Sequence, residues 1–167
     1  DYIAGVYGKT VYDVEDVLCG RCDAGKALVE SPLYPGLFVI SAPYSGGQVA
    51  AGALQSFLQQ AGGVFDDIVL DTAAGMGAPF EAARAAASLA LICITPDPVA
   101  QRDGRIVCDA LLEGGCEQVR LVINKVPRTL AGQGIRDLDE CIDTVGAQLL
   151  GVVPYSEAVL RAGATAS

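Results

Sequence analysis

Apolar runs of strand length, separated by longer amphipathic stretches, constrain the fold of this chain more than any other feature of its sequence. The runs DIVLD, LALICIT and RLVIN are largely apolar throughout instead of alternating between apolar and polar residues. Such runs are typical of parallel strands that are covered on both faces. We therefore predict strands at 37–41, 67–71, 89–95, 120–124 and 151–153.

The amphipathic stretches between these runs predict helices. Gly62-Gly63 marks the end of one helix, and Pro79 suits the first turn of another, where a missing N–H costs nothing. Strands that alternate with helices indicate an α/β fold with a mainly parallel, doubly wound sheet and helices on both faces. With 167 residues, 51% of them hydrophobic, we expect a single domain over 1–167. The predicted helices span 11–18, 24–29, 47–60, 79–88, 99–112 and 135–149.

The charge balance excludes several classes of function. Eleven Lys and Arg residues stand against 20 Asp and Glu residues, which gives a formal charge of −9. A surface this acidic repels phosphate backbones and anionic lipids, so we expect no nucleic-acid partner. The chain has no histidine, the commonest general base and metal ligand. Chemistry must therefore come from carboxylates, lysine, cysteine, hydroxyls or a bound metal ion.

The six cysteines indicate a reduced, cytosolic protein rather than a disulfide scaffold. Cys93 falls inside an apolar strand candidate and Cys108 inside a helix candidate. Cys19 and Cys22 form a C-x-x-C pair, but no second pair supplies the further ligands of a zinc or iron–sulfur site. We expect free thiols without a metal. The remaining cysteines are Cys116 and Cys141.

Two polar residues directly follow apolar strands, where open α/β sheets bind their ligands. A carboxylate at Asp71 suits a hydrated Mg²⁺ beside phosphates, and it equally suits the cap of a following helix. The amide of Asn124 offers a donor and an acceptor to a purine edge. Taken without its context, Asn124 is better explained as a turn residue near Pro127.

Several segments in order resemble the MinD/ParA family of deviant Walker-type P-loop ATPases. They are TVYDVEDVLCGRCDAGKAL, FDDIVLDTAAGMG, LALICITPDPVAQRDGRIV, VRLVINKV and QLLGVVPYSEAVLRA. They are spread from position 10 to position 162, so the resemblance extends in order over almost the whole chain. The resemblance implies ATP binding and hydrolysis with Mg²⁺, a nucleotide-bound homodimer, division-regulator partners and spatial control of cell division. It also implies a cytoplasmic location, with peripheral contact to the inner face of the membrane only through a segment outside this chain.

The resemblance also implies roles for individual residues. Asp71 matches the catalytic strand-end carboxylate that holds Mg²⁺ through water. Asn124 matches the residue that recognises adenine, and Pro154 with its neighbours matches the loop that closes over the base. Asp103 matches the start of a helix that meets protein partners, although Arg105 stands where a second acid is expected. The phosphate-sensing switch matches Thr72, Ala73, Ala74 and Gly75, with Ala73 in place of the family's proline.

The family's first strand and its glycine-rich phosphate loop have no counterpart in these residues, and neither has its C-terminal membrane helix. Gly8-Lys9-Thr10 spells the end of a phosphate loop, but position 3 is Ile where the motif needs Gly. The chain starts at Asp1 instead of Met, so we expect part of a longer protein that is inactive by itself. No apolar run reaches the ~18 residues that span a membrane.

Two other functions stay open at this stage. One is a non-catalytic scaffold or binding module that keeps the fold without the phosphate loop. The other is a maturation or cargo-positioning relative within the same ATPase class. A strand followed by K-G-G-x-G-K-T, encoded ahead of Asp1, would favour the enzyme over the scaffold.

Overall fold

The computed structural model describes residues 3–43, 49–72, 75–127 and 137–165. The chain divides into two compact units, which are described one at a time. The first unit comprises Asp1–Ala86 with Ala158–Ser167, and the second, here called the sheet unit, comprises Ala87–Glu157.

Short helices and one hairpin make up the first unit. Strands β1 and β2 pair antiparallel, with Val29 opposite Val39. Helices α3 and α4 pack against each other. The elements are α1 (Val14–Leu18), α2 (Ala24–Ala27), β1 (Val29–Glu30), β2 (Phe38–Val39), α3 (Ala51–Ala61) and α4 (Ala78–Ala86), and most of α7 (Glu157–Thr165) also belongs here.

The predicted strand at 67–71 is wrong. These residues form no strand, and Val69 is 88% exposed. A strand needs a neighbour to take up its backbone hydrogen bonds, and apolar composition alone does not supply one. The predicted strand at 37–41 shrinks for a related reason: only Phe38–Val39 finds a partner, and that partner is antiparallel.

Helix α1 begins at Val14, later than the predicted start at 11, because a capping box begins it. The Asp13 carboxylate accepts from the Asp16 N–H at 3.1 Å, and the Asp16 carboxylate accepts from the Asp13 N–H at 3.1 Å. Two N–H groups that the helix itself cannot satisfy are paired in this way. Arg21 then binds Asp16 at 2.6 Å and lowers its carboxyl pKa.

The sheet unit contains a parallel three-stranded sheet in the order β3-β4-β5. All three predicted strands in this unit form. The strand predicted at 89–95 ends one residue earlier, and the strands predicted at 120–124 and 151–153 are longer at both ends. The α/β class with a parallel sheet, predicted from continuous apolar runs, is confirmed. The elements are β3 (Leu89–Ile94), α5 (Pro98–Glu113), β4 (Gln118–Val126), α6 (Leu138–Val145) and β5 (Gln148–Pro154).

One face of this sheet is tightly packed. Leu121 and Ile123 of β4 are fully buried. Gly104 lets α5 come so close to β3 that a Cβ at its position would lie 2.8 Å from Ile94 Cγ2 and 3.3 Å from Val145 Cγ2 of α6. On the opposite side of β3, Leu91 is 53% exposed. The helices α5 and α6 therefore share the buried face of the sheet.

Two bulges interrupt the β4–β5 ladder. Leu121 pairs with Leu149 but Val122 pairs with Gly151, so Leu150 is an extra residue in β5. Ile123 pairs with Val152 and Val126 with Pro154, so β4 carries an extra residue at 124–125. Bulges re-aim side chains and are common beside active sites.

Several predicted helix bounds are corrected. The helix predicted at 135–149 ends at Val145, because Gly146 takes the left-handed conformation (φ +75°) that terminates helices and the chain then enters β5. The helix predicted at 47–60 is α3, which begins at Ala51, and residues 44–48 lie outside the described part. Helix α7 was not predicted at all.

Candidate functional site

The carboxyl ends of β3, β4 and β5 surround a cleft of about 340 Å³, here called the strand-end cleft. Each of the three strands contributes residues that lie at or just beyond its end. In open α/β sheets, ligands bind at this edge. The lining residues are Thr95, Pro96, Asp97, Lys125, Pro127 and Tyr155.

Asp97 is a fixed and charged acceptor in this cleft. Thr95 Oγ1 donates to its Oδ2 at 2.5 Å, and the Ala100 N–H donates to its Oδ1 at 3.0 Å, which makes Asp97 the N-cap of α5. The Thr95 hydroxyl, followed by the Ala100 N–H, holds the pKa of the Asp97 carboxyl below its usual value. The carboxylate is therefore ionised at neutral pH.

Asn124 and Lys125 form the bulge at the end of β4. Lys125 has φ +55° and is the only residue other than glycine with a positive φ in the described ranges. Its N–H donates to Asn124 Oδ1 at 2.8 Å. The turn role considered for Asn124 is thus present in the structure. The turn uses the side-chain amide oxygen of Asn124, and the two Nδ2 hydrogens stay available to another acceptor.

Tyr155 contributes the aromatic wall of the cleft. Its N–H donates to the Val126 carbonyl at 2.8 Å, which ties the residue to the end of β4. Its side chain is half exposed, at 49%. Among the described residues, none forms a hydrogen bond with its hydroxyl. Tyr155 adjoins Pro154 in the loop that the family resemblance assigns to the base. Sequence reasoning did not assign Thr95 or Asp97 to a site, although both closely follow a strand, which is the signal that marks Asn124.

The residues predicted around the phosphate switch belong to the first unit. Asp71 and Thr72 are exposed, and Asp71 lies too far before α4, which begins at Ala78, to be its N-cap. Gly75 has φ +107°, a conformation that other residues rarely adopt. Ala73 and Ala74 lie outside the described residues. Because Asn124 and Pro154 belong to the sheet unit, each group is described only within its own unit.

The remaining predicted site residues lie at the surface of the sheet unit. Pro154 ends β5 and is exposed. Asp103 is exposed in the second turn of α5. Arg105, two residues further on, pairs with Asp109 at 2.9 Å. Asp103 is thus accessible to a partner.

The cysteines are free thiols in the structure. Among the described residues, no three Cys, Asp or Glu side chains gather closely enough to hold a metal ion. Burial raises the thiol pKa of Cys108 and Cys141, which disfavours the reactive thiolate. Burial also raises the thiol pKa of Cys22, the second residue of the C-x-x-C pair.

Gly8-Lys9-Thr10 lies in a turn rather than at the start of a helix. Gly8 has φ +71°, and the Lys9 N–H donates to the Val6 carbonyl at 3.0 Å. Thr10 Oγ1 accepts a hydrogen bond from Ser41 at 3.1 Å. Within the ranges that the structure describes, no helix has both the length and the apolar character needed to cross a membrane.

Comparison with known proteins confirms the family resemblance. The septum site-determining protein MinD of Synechocystis is 29% identical over 163 residues, covering 96% of this chain and 61% of that protein. MinD of Bacillus subtilis is 29% identical over 167 residues, covering 97% of this chain and 62% of that protein. The chain therefore spans about three-fifths of the length of these relatives. No protein-family model matches it.

Solved structures share the fold. A chain of the MinC:MinD cell division complex of Aquifex aeolicus has a TM-score of 0.87 at 24% identity, covering 100% of this chain and 68% of that one. MinD of Pyrococcus horikoshii, solved with Mg-ADP, has a TM-score of 0.76 at 17% identity, covering 97% of this chain and 65% of that one. At these identities the likeness establishes the P-loop-like α/β fold.

Proposed function

We propose that this chain is the central part of a MinD-like ATPase that takes part in placing the cell division site. The observation that carries the proposal is the strand-end cleft, with Asn124 next to its lining residue Lys125 in the bulge of β4, in a chain that is 29% identical to MinD proteins over nearly all its length. Nucleotides bind at this edge of α/β sheets. The cleft would take the base, with the Asn124 Nδ2 donors and the loop at Pro154 against the ring.

The residues that match the family's phosphate-sensing switch would hold Mg²⁺ and contact the phosphates. Asp71 is exposed, and within the described residues its carboxylate has no partner, which fits a ligand that holds hydrated Mg²⁺ through water. When bound, Mg²⁺ offsets charge on the phosphate oxygens. Thr72 and Gly75 would sense whether the terminal phosphate is present, since the left-handed Gly75 allows the backbone to approach it closely.

The partner and assembly roles belong to the same proposal. Asp103 on the exposed side of α5 would contact a division regulator, because one solved neighbour is a MinC:MinD complex. The proposal also includes a homodimer that forms when nucleotide is bound. It further includes a cytoplasmic location with peripheral contact to the membrane. These properties concern the whole protein, since the relatives are longer than this chain.

Substitutions at Asp71 and Asn124 should affect hydrolysis and nucleotide binding differently. The test uses the protein extended by the residues encoded ahead of Asp1. Asp71→Asn should abolish hydrolysis while ATP still binds, because charge at the metal matters most in the transition state. Asn124→Ala should weaken ATP binding by about 1–3 kcal/mol, roughly 5- to 150-fold, with little change in kcat. Both are measured as kcat and nucleotide Kd at saturating Mg²⁺.

Matched controls sharpen this test. Asp67→Asn removes an exposed carboxylate from the same segment as Asp71 and should leave kcat unchanged. Asn124→Asp keeps the acceptor for the Lys125 N–H and removes the two donors, so it should match Asn124→Ala. An Asp71→Asn protein with normal kcat would contradict the metal role.

A scaffold with the same fold is the second candidate, favoured by the lack of a glycine-rich phosphate loop in the described residues. It predicts that the extended protein binds its division partner without hydrolysing ATP. Hydrolysis that depends on Asp71 excludes it.

A further inference from the structure

We propose that Cys19 and Cys22 form a reversible disulfide across the turn that follows α1, by exchange with a small-molecule disulfide of the glutathione class. This modification site does not involve the nucleotide and goes beyond the proposed function. In the structure both residues are free thiols, with Cys19 exposed and Cys22 partly buried. The disulfide is therefore the oxidised state of a pair that the structure shows in its reduced state.

The turn after α1 folds the chain back onto the last residues of that helix. Cys19 is the C-cap of α1, and Gly20 then takes a φ of +70°, which glycine adopts freely and which reverses the chain. The N–H groups of Arg21 and Cys22 both reach the carbonyl of Asp16, at 2.8 and 3.4 Å. Because residues three apart in a helix are neighbours, Asp16 adjoins Cys19, and Cys22 returns to the same place.

The charged groups around the turn lie beside both cysteines. Arg21 Nε donates to the Asp16 carboxylate at 2.6 Å, and this bond, with the charge of an ionised Cys19 as a smaller contribution, raises the pKa of the guanidinium. Burial, followed by the charge of the same Asp16, raises the thiol pKa of Cys22. The ion pair between Arg21 and Asp16 therefore holds the segment that separates the two thiols.

The geometry of the turn suits closure by a disulfide. A disulfide needs Cα atoms about 4.4 to 6.8 Å apart, a separation that the two ends of a tight four-residue turn provide. A Cβ at Gly20 would meet nothing within 4 Å, so the turn can adjust without meeting other atoms. Since Gly20 and Arg21 are already ordered, closing the bond costs little further backbone entropy. The folded chain should therefore present the pair at a higher effective concentration than the unfolded chain.

The exchange takes place in two balanced steps. Cys19, the more exposed thiol, loses its proton and attacks one sulfur of the small disulfide, whose S–S bond breaks as the departing thiolate takes up a proton. Cys22 then loses its proton and attacks Cys19 Sγ, which forms the intramolecular bond and releases the second small thiol. Two protein thiols are oxidised while one small disulfide is reduced to two thiols. Cys22 suits the second step, because its proximity to Cys19 compensates for the low thiolate fraction that a raised pKa implies.

Trypsin makes this disulfide directly visible, because it cuts after Arg21, between the two cysteines. The 167-residue chain is equilibrated in mixtures of reduced and oxidised glutathione, its free thiols are alkylated, and it is then unfolded and digested. A Cys19–Cys22 disulfide leaves peptides 10–21 and 22–26 joined in the mass spectrum, whereas mixed disulfides with glutathione leave them separate. The joined fraction at each glutathione composition gives the effective concentration of the pair.

The effective concentration should be roughly 5- to 30-fold higher in the folded chain than in the same chain equilibrated in urea. This is the factor expected when the backbone of about one residue is ordered in advance. Cys19→Ser and Cys22→Ser should each abolish the joined peptides. Cys93→Ser is the matched control, because Cys93 is also an exposed free thiol but lies in β3 of the sheet unit, and it should leave the joined fraction unchanged.

Each result decides the proposal. Joined peptides that need both Cys19 and Cys22, survive Cys93→Ser and form more readily in the folded chain support it. Mixed disulfides alone, equal effective concentrations in the folded and unfolded chain, or the joining of either residue to another cysteine overturn it. ATP has no part in this measurement, so its failure would leave the proposed ATPase function untouched, and a chain without ATPase activity could still form the disulfide.

Discussion

Lys125 adopts a backbone conformation that costs free energy for any residue with a Cβ. A left-handed L-residue is less stable than its right-handed form by roughly 1–2 kcal/mol, and the bond from the Lys125 N–H to Asn124 Oδ1 helps to hold it there. Strain of this kind concentrates at functional sites. The cleft is therefore lined by a residue whose backbone conformation lowers the stability of the fold.

Lys125→Gly should release this strain. We expect the free energy of unfolding to rise by up to about 1 kcal/mol, since glycine adopts a positive φ freely but loses more entropy on folding. Lys125→Ala keeps the Cβ and serves as the control, with stability close to that of the native chain. Urea unfolding of the three proteins checks this, and equal stability of the Gly and Ala variants would argue against strain at this position.

Asp97 should make stability depend on acidity. Its folded-state pKa lies below the unfolded value, so its contribution is complete above the unfolded pKa of about 3.9 and is lost as the pH falls through the folded pKa. Asp97→Asn keeps the N-cap but cannot titrate. The stability difference between native chain and variant should be largest near neutral pH and shrink toward about pH 2. A constant difference across this range would contradict the assignment.

At the scale of elements, the contact between α5 and the sheet depends on Gly104. Gly104→Ala should reduce the free energy of unfolding by about 1–3 kcal/mol through overpacking against Ile94, partly offset by a gain in helix propensity of up to about 1 kcal/mol. Gly52→Ala in α3 is the control, because a Cβ there meets nothing within 4 Å. It should leave stability unchanged or slightly raised. Thermal unfolding of both variants decides, and equal effects would refute close packing at Gly104.

The elements that sequence patterns predicted correctly are those whose partners lie nearby in the chain. The run that became β3 pairs with β4 along its whole length, and it is followed by α5, which packs against both strands. The run at 67–71 has a similarly apolar centre but no partner strand in the described residues, so its apolar pattern could not decide its structure. The bulge at 124–125 depends on how β5 pairs with β4, which neither segment encodes by itself. Helix α7 was missed although Ala, Leu, Arg and Glu in Glu157–Thr165 are good helix formers.

At the scale of the whole molecule, the sequence motifs identified the edge of the sheet that bears the cleft and the two strand ends that supply Lys125, Pro127 and Tyr155, but not the contribution of Thr95 and Asp97. Asn124 was singled out because an amide after a strand suits a base. Tyr155 and Asp97 carry equally suitable chemistry, yet their placement in one cleft required the parallel register of three strands. The roles of Asp71, Thr72 and Asp103 remain predictions.

The chain by itself should bind ATP only weakly. Backbone N–H groups of a glycine-rich loop supply most donors to a nucleotide's phosphates, and the described residues contain no such loop at a helix start. The turn at Gly8-Lys9-Thr10 directs the Lys9 N–H to Val6 instead. Calorimetry should detect no micromolar affinity for ATP. Such affinity would show that a phosphate site exists within these 167 residues.

The two bulges of the β4–β5 ladder compensate each other in length. From Leu121 to Val126 and from Leu149 to Pro154, both strands advance by the same number of residues, so an evenly matched ladder fits between the same two end pairs. The one-residue register shift between those ends is therefore not required by the length of either strand. A ligand bound to the Asn124 amide would hold the bulged register in place. Inserting one residue in either strand would leave no evenly matched ladder between the two end pairs.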